Sequence, residues 1–273
     1  MKKILVLDLD GTSITDTYKV TDELQQIVSI IKKNHMVYIA TGRSVSDAYP
    51  YYKLLGLEDY IICHNGGLVY EPKTGAIKYK KNIACAKEIL NFLQQCQNVY
   101  GIDNVVLSKC NETYLLTNKN KYLHKIIINE DLPFSYLGKQ VFQMCDIQRI
   151  IISCNPKYCH SLQDKIMQLF NNVIVCGWRG CNNIIDISVG NVNKWEAVFH
   201  IAKENNILAQ NIISFGDALN DIELLKNSGV GVCMLNGEKE TKKAADFITD
   251  YDNNDNGVYD FLINRLAATF DIT

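Results

Sequence analysis

The chain has no apolar run approaching the ~20 residues that a membrane-spanning helix needs. Its longest runs, such as Ile4–Leu7 and Ile150–Ile152, are only strand length. No charge of one sign dominates: 28 Lys and Arg stand against 30 Asp and Glu, a net charge of -2, and neither half is conspicuously basic. A nucleic-acid partner is therefore disfavoured. No secretory h-region follows Met1-Lys2-Lys3, because Asp8 and Asp10 interrupt the apolar stretch that begins at Ile4. The expected location is the cytoplasm. No C-x-x-C pair occurs, and Cys154/Cys159 and Cys176/Cys181, each with four residues between, make a poor zinc framework. The ten cysteines sit singly and read as reduced, small buried hydrophobes. Glycine-rich P-loop, G-x-G-x-x-G, H-E-x-x-H and G-x-S-x-G signatures are also missing.

What is there is enough for a sizeable core: 273 residues, 47% of them hydrophobic, about two domains at roughly 150 residues each. In the first third, Ile4–Leu9, Met36–Ala40 and Tyr60–His64 read as strands and Thr21–Lys33 as a helix, the alternation of a parallel α/β sheet. Leu24, Ile27, Val28 and Ile31 form one helical face, Thr21 is the N-cap, and Asp22 and Glu23 suit the positive first turn. The strands at Ile4 and Met36 are apolar throughout, as expected of central strands covered on both faces. The same pattern returns late in the chain: a helical stripe at Trp195, Val198, Phe199 and Ala202, strands at Ile212–Phe215 and Gly229–Met234, and a helix at Asp221–Asn227. Between them the texture is α+β, with helices at Ala86–Gln97 and His160–Phe170 and strands at Val105–Ser108, Thr113–Leu116, Arg149–Cys154, Val173–Cys176 and Ile184–Ile187. The expected fold is a Rossmann-like, doubly wound α/β core over 1–82 and 187–273, with an α+β insert over 83–186 that forms its own layer. Asp250–Asn256 reads as a polar loop.

Four motifs fall at strand ends or helix starts, where open α/β sheets bind ligands. Asp8-Leu9-Asp10-Gly11-Thr12 places two carboxylates one residue apart. Such a pair is held by a cation or splits roles between nucleophile and proton carrier, or else it is a capping Asp beside a turn Asp. Thr41-Gly42-Arg43 offers a hydroxyl, backbone amides and a bidentate anion clamp, though Thr-Gly is also an ordinary turn. Lys194 opens a helix against the macrodipole, which implies a nearby anion unless the side chain is solvated. Gly216-Asp217-Ala218-Leu219-Asn220-Asp221 adds two more carboxylates. If its strand neighbours the one leading to Asp8, the two motifs build an oxygen-rich pocket suited to Mg²⁺.

This set resembles the haloacid dehalogenase superfamily, specifically the Cof-type phosphatases with a large α/β cap (subfamily IIB), over nearly the whole chain. Asn65-Gly66-Gly67, Asp186-Ile187, Ala244-Ala245-Asp246 and Asn256-Gly257-Val258 extend the likeness. Trp195 stands where these proteins often carry Gly, Gly67 where Ala is frequent, and Ser13-Ile14 replace a usual apolar pair. The resemblance implies that Asp8 attacks phosphorus, that Asp10 protonates the leaving alcohol and then activates water, and that Thr41 and Lys194 hold the transferring group. It also implies phosphate contacts from Gly11, Thr12, Gly42, Arg43 and Asn220. Mg²⁺ would be held by Asp8, the Asp10 carbonyl and Asp217, with Asp221 supporting. An intact Asp10 points to hydrolysis or mutase chemistry.

The expected activity is thus a Mg²⁺-dependent phosphatase acting on a small phosphomonoester, a sugar phosphate, nucleotide or phosphorylated cofactor, as a monomer or homodimer without nucleic-acid or membrane partners. A phosphomutase would use the same aspartates. A non-catalytic phosphate-ligand binder would lack one of them, and a receiver-like domain would lack the cap. Within the cap, Lys109, Tyr114, His124, Arg149, Trp178 and Arg179 are candidate contacts to the leaving group, each also readable as a surface or core residue. His35, His64, His160 and His200 lack metal-ligand spacing and read as structural.

Overall fold

The computed structural model describes residues 2–119, 131–178 and 181–272. The chain packs as two compact units: Met1–Arg43, Ala48–Tyr79 and Asn193–Thr273 form one, Ser44–Asp47 and Lys80–Val192 the other. No helix among the described residues is long and apolar enough to cross a membrane.

The first unit is built on an eight-stranded sheet, in spatial order Phe247–Ile248, Val230–Cys233, Ile212–Gly216, Ile4–Leu7, Met36–Ala40, Ile61–Cys63, Leu68–Glu71, Ala76–Lys80. The first six run parallel, and Leu68–Glu71 turns back antiparallel on Ile61–Cys63. Every residue of Ile4–Leu7 is 0% exposed, the burial on both faces that an unbroken apolar run demands. Leu7 lies opposite Phe215 on one side and Ile39 on the other. That register brings the carboxyl ends of three strands level, so Asp8, Thr41 and Asp217 each stand one residue beyond a strand.

Helix Asp22–Ile31 is capped as its sequence predicts: Leu24 N–H donates to Thr21 Oγ1 at 3.3 Å, worth about 1 kcal/mol. Helix Lys194–Glu204 packs Ala197, Val198, Ile201 and Ala202 against Ile4, Val6, Met36, Tyr38 and Ile212. Its two larger aliphatics gain roughly 1.5–3 kcal/mol each by leaving water. Trp195 is partly buried on the same core and stacks on Phe199 at 4.8 Å.

The second unit has a six-stranded sheet in the order Val173–Gly177, Ile184–Val189, Arg149–Ser153, Asn104–Lys109, Glu112–Leu115, Phe134–Tyr136. Its pairs are antiparallel except the last. Helices Ala86–Tyr100 and Pro156–Leu169 bury Ile89, Leu90, Leu93, Leu162 and Ile166 against Val105, Leu107, Ile150, Ile152, Ile185 and Ile187.

The later helix begins four residues before the expected His160. Asn155 caps it, accepting from Lys157 N–H at 3.0 Å, with Pro156 in the first turn where its missing donor costs nothing. Helix Val45–Leu54 tolerates Pro50 and opens on a capping box, Ser44 Oγ accepting from Asp47 N–H at 3.2 Å and Asp47 Oδ2 from Ser44 N–H at 3.4 Å. Helix Gly257–Arg265 instead has a left-handed N-cap, Asn256, that makes no side-chain cap bond; neither helix is among the expected elements. None of the ten cysteines, all among the described residues, is in a disulfide.

Candidate active site

The site is assembled at the carboxyl edge of the first unit's sheet. Asp8 is 5% exposed and Lys194 wholly buried. Lys194 Nζ donates to Asp8 Oδ1 and to Asp221 Oδ1, both at 2.6 Å. The alternative of a solvated Lys194 is therefore set aside: the unfavourable cation at a helix start is held by two buried carboxylates. Asn193 caps the same helix, accepting from Glu196 N–H at 2.8 Å.

Asp221 Oδ2 is occupied too, accepting from Asp217 N–H at 3.0 Å and Ala218 N–H at 3.1 Å. Asp217 Oδ1 accepts from Thr12 Oγ1 at 3.2 Å. Gly11 has φ +73°, and a Cβ there would collide with the Asp217 carboxylate, so the turn after Asp10 and the approach of Asp217 both need glycine.

Three carboxylates surround one ammonium, and burial dominates the titration of Asp8 and Asp217. Burial pushes Asp8 well above the usual carboxylate range, opposed by Lys194 and reinforced by Asp221 and Asp217. Burial raises Asp217 to about 7, with Asp221 adding to it and Lys194 and Thr12 opposing. Burial alone would lower Lys194, but Asp221 and Asp8 outweigh it and hold the ammonium charged. One ligand oxygen from each of Asp8, Asp217 and Asp221 lies within 4.8 Å of the others. This hard, oxygen-only set fits a small divalent cation such as Mg²⁺. Asp221 spends both oxygens on Lys194 and backbone amides, which leaves Asp8 and Asp217 as the carboxylates that could reach a cation directly.

Thr41 is 1% exposed, and its hydroxyl accepts from Arg43 N–H at 3.2 Å. The Arg43 side chain turns to Asp10. Its Nε and Nη2 donate to Asp10 Oδ2 and Oδ1 at 2.7 and 2.6 Å, and Tyr51 and Tyr18 flank the guanidinium at 5.0 and 5.6 Å. Asp10 is outside the carboxylate group and half exposed. Gly42 and Asn220 lie together at Asn65, whose Oδ1 accepts from Asn220 Nδ2 at 2.8 Å.

Sequence reasoning passed over two asparagines here. Asn236 Nδ2 donates to the Gly11 carbonyl at 2.8 Å. Asn253, 6% exposed, donates to the Ile14 carbonyl at 2.9 Å and to Asp16 at 3.1 Å. Asp250–Asn256, read only as a polar loop, thus braces the loop that carries Asp8. No local spacing announces this; the contact spans over 200 residues.

In the second unit, Arg149, Trp178 and Tyr114 of the leaving-group candidates all bond carboxylates of their own unit, Arg149 most extensively. It donates to both oxygens of Asp186 at 2.6–3.1 Å and to Asp47 at 2.9 Å. Trp178 Nε1 donates to Asp186 at 2.9 Å. Tyr114 bonds Glu112, Lys109 ends a strand beside it, and His124 and Arg179 lie outside the described residues. His35 is buried, accepting from Lys3 N–H and packing edge-on to Phe270.

Comparison with known proteins agrees with this geometry. The model of the haloacid dehalogenase-like hydrolases matches residues 5–262. The 5-amino-6-(5-phospho-D-ribitylamino)uracil phosphatase YitU of Bacillus subtilis is 24% identical, covering 95% of this chain and 96% of its own. Phosphatase YwpJ of the same organism is 22% identical over 94% and 97%. A haloacid dehalogenase-like hydrolase from Bacteroides thetaiotaomicron has the same fold, with a TM-score of 0.81 at 19% identity over 96% and 99% of the two chains. With a full-length family match and a buried Asp–Lys–Asp centre at the sheet's carboxyl edge, the chain belongs to the haloacid dehalogenase-like hydrolase family and is an enzyme of its phosphatase branch.

Proposed function

We propose that this phosphatase is Mg²⁺-dependent and hydrolyses a small phosphomonoester, a sugar phosphate, nucleotide or phosphorylated cofactor, through an aspartyl-phosphate on Asp8. The observation that carries the reading is Asp8 itself: a buried carboxylate just past a central strand, 2.6 Å from Lys194 and grouped with Asp217 and Asp221.

Asp8 is fixed by its backbone, whose N–H donates to the Phe215 carbonyl at 3.2 Å, and by Lys194. One carboxylate oxygen attacks phosphorus while the ester oxygen leaves, and Asp10 gives that oxygen its proton. Asp10 then takes a proton from the water that cleaves the acyl-phosphate, returning Asp8 as a carboxylate and releasing inorganic phosphate. Lys194, the Thr41 hydroxyl, Asn220 and the amides of Gly11 and Gly42 would face charge spread over the phosphoryl oxygens, where fixed donors help most. Thr12, its N–H on the Leu9 carbonyl and its hydroxyl on Asp217, would instead support the loop. Asp8, the Asp10 carbonyl and Asp217 would hold Mg²⁺, with Asp221 behind them; the ion offsets the repulsion between a carboxylate nucleophile and an anionic ester. Arg43 takes one lone pair on each Asp10 oxygen and leaves the others for a proton, so it holds the carboxyl in place for its work as acid and base.

The test is phosphate release from a panel of phosphomonoesters with Mg²⁺, in the native protein and in Asp8→Asn. Release lost in the variant and abolished by chelator is expected, and the ranking of esters names the substrate class. Full activity in Asp8→Asn, or in excess chelator, would overturn the mechanism; an isomerised ester in place of inorganic phosphate would make it a mutase.

A further inference from the structure

The turn His64-Asn65-Gly66 has no part in the chemistry above, yet it touches three of the segments that carry it. All three residues have left-handed backbone, with φ of 52°, 56° and 98°. For the two that are not glycine this backbone is strained, and such a run persists only where its surroundings enforce it. The surroundings are specific. His64 N–H donates to the Arg43 carbonyl and Asn65 N–H to the Thr41 carbonyl, both at 3.0 Å. A Cβ on Gly66 would collide with the carbonyl of Asn193, the residue before Lys194. The Asn65 carboxamide lies over Gly42, where a Cβ would come within 3.1 Å of its Oδ1, and that oxygen accepts from Asn220 Nδ2 at 2.8 Å.

We infer that Asn65 is a positioning residue, whose carboxamide oxygen holds Asn220 toward the phosphoryl site while its backbone holds the Thr41 loop. The inference rests on the phosphatase reading above. The two halves of the role are chemically separable. Glycine adopts a φ of 56° without strain and keeps the N–H, so it preserves the backbone half and removes only the carboxamide. Asn220 is exposed, and with its Nδ2 released the side chain is free to leave the one orientation that a transferring group can use. Gly42 lies in the same contact: a Cβ there would press on the Asn65 amide, which would have to give by a few tenths of an ångström.

The experiment compares kcat and KM on the best ester of the panel for the native protein, Asn65→Gly, Asn220→Ala and the double variant. Thermal melting checks the fold, and the Asn220 side-chain amide resonances give a readout independent of turnover. Asn65→Gly is expected to melt like the native protein and to lose about 10- to 100-fold in kcat with KM little changed. Asn220→Ala alone should lose a similar factor, and the double variant no more than either. The Asn220 amide resonances should move in Asn65→Gly. Native kcat in Asn65→Gly or in Asn220→Ala, or losses that multiply in the double variant, would overturn the inference. A native protein that hydrolyses no ester would instead remove the phosphatase reading, and unmoved Asn220 resonances would still refute the positioning contact.

Discussion

Lys194 and Asp8, 186 residues apart in the chain, form a buried ion pair with 2.6 Å between Nζ and Oδ1. The pair joins a strand end to a helix start, and Asp221 completes it from the other side. Removing one member of such a group leaves the others charged and dry, which costs more than the group's own net contribution.

Lys194→Met should therefore both inactivate and destabilise, by about 3–5 kcal/mol, read from urea unfolding beside phosphate release. Asp8→Asn should inactivate while retaining most of the fold, because the amide still presents an oxygen to Lys194. Equal stability losses in the two variants would contradict the pairing.

The raised Asp217 and Asp8 carboxyls set a pH dependence. A group whose pKa is higher folded than unfolded binds its proton more tightly in the folded state, so its contribution is present at low pH and lost as pH rises through the folded value. For Asp217 that window runs from the usual carboxylate range up to about 7, and Asp8 shifts in the same direction. Lys194 stays charged throughout it. In chelator, the melting temperature should fall as pH rises across this window. Added Mg²⁺ should restore it most at the upper end, where the ligands are ionised. A melting temperature that rises with pH in chelator would show that the carboxylates are not strained by their burial.

Arg43 grips Asp10 with two parallel bonds, a geometry that lysine cannot copy. Arg43→Lys should cost about tenfold in kcat/KM. The loss should be greater on alkyl esters, whose leaving oxygen needs Asp10's proton, than on nitrophenyl phosphate, whose leaving group does not. An equal loss on both would assign Arg43 to phosphate binding alone.

Asn253 is buried with its Nδ2 on the Ile14 carbonyl and Asp16. Asn253→Ala strips a partner from that buried carbonyl and should cost about 1–3 kcal/mol, with a lower kcat from the loosened Asp8 loop. Unchanged urea stability and unchanged kcat together would show the brace to be idle.

Much of this protein is legible in its sequence. Unbroken apolar runs at Ile4 and Met36 mark strands buried on both faces, and Thr21, Asp22 and the Leu24-Ile27-Val28-Ile31 stripe mark a helix, because periodicity and capping are local properties. Asp8, Thr41, Lys194 and Asp217 stand out because each follows a strand or opens a helix. Pro156 and Asn155 could have placed the later helix start, and Ser44-x-x-Asp47 that of Val45–Leu54, although Pro50 within it speaks against a helix.

The sequence by itself determined the buried central strands, the clearly amphipathic helices and the residue types available at the strand ends, since these follow from side-chain pattern within a few residues. It did not determine the short or edge strands Leu68–Glu71, Ala76–Lys80, Phe134–Tyr136 and Phe247–Ile248. Tertiary structure alone decided that Ile4–Leu7 pairs with Ile212–Gly216, and so that Asp8, Lys194, Asp217 and Asp221 share one buried pocket. It also decided that Arg43 turns to Asp10, that Asn65 meets Asn220, and that Asn253 reaches back to Ile14. These contacts join residues tens to hundreds of positions apart. Their energies depend on burial and on net charge in a shared volume, quantities that exist only once the chain has closed around them.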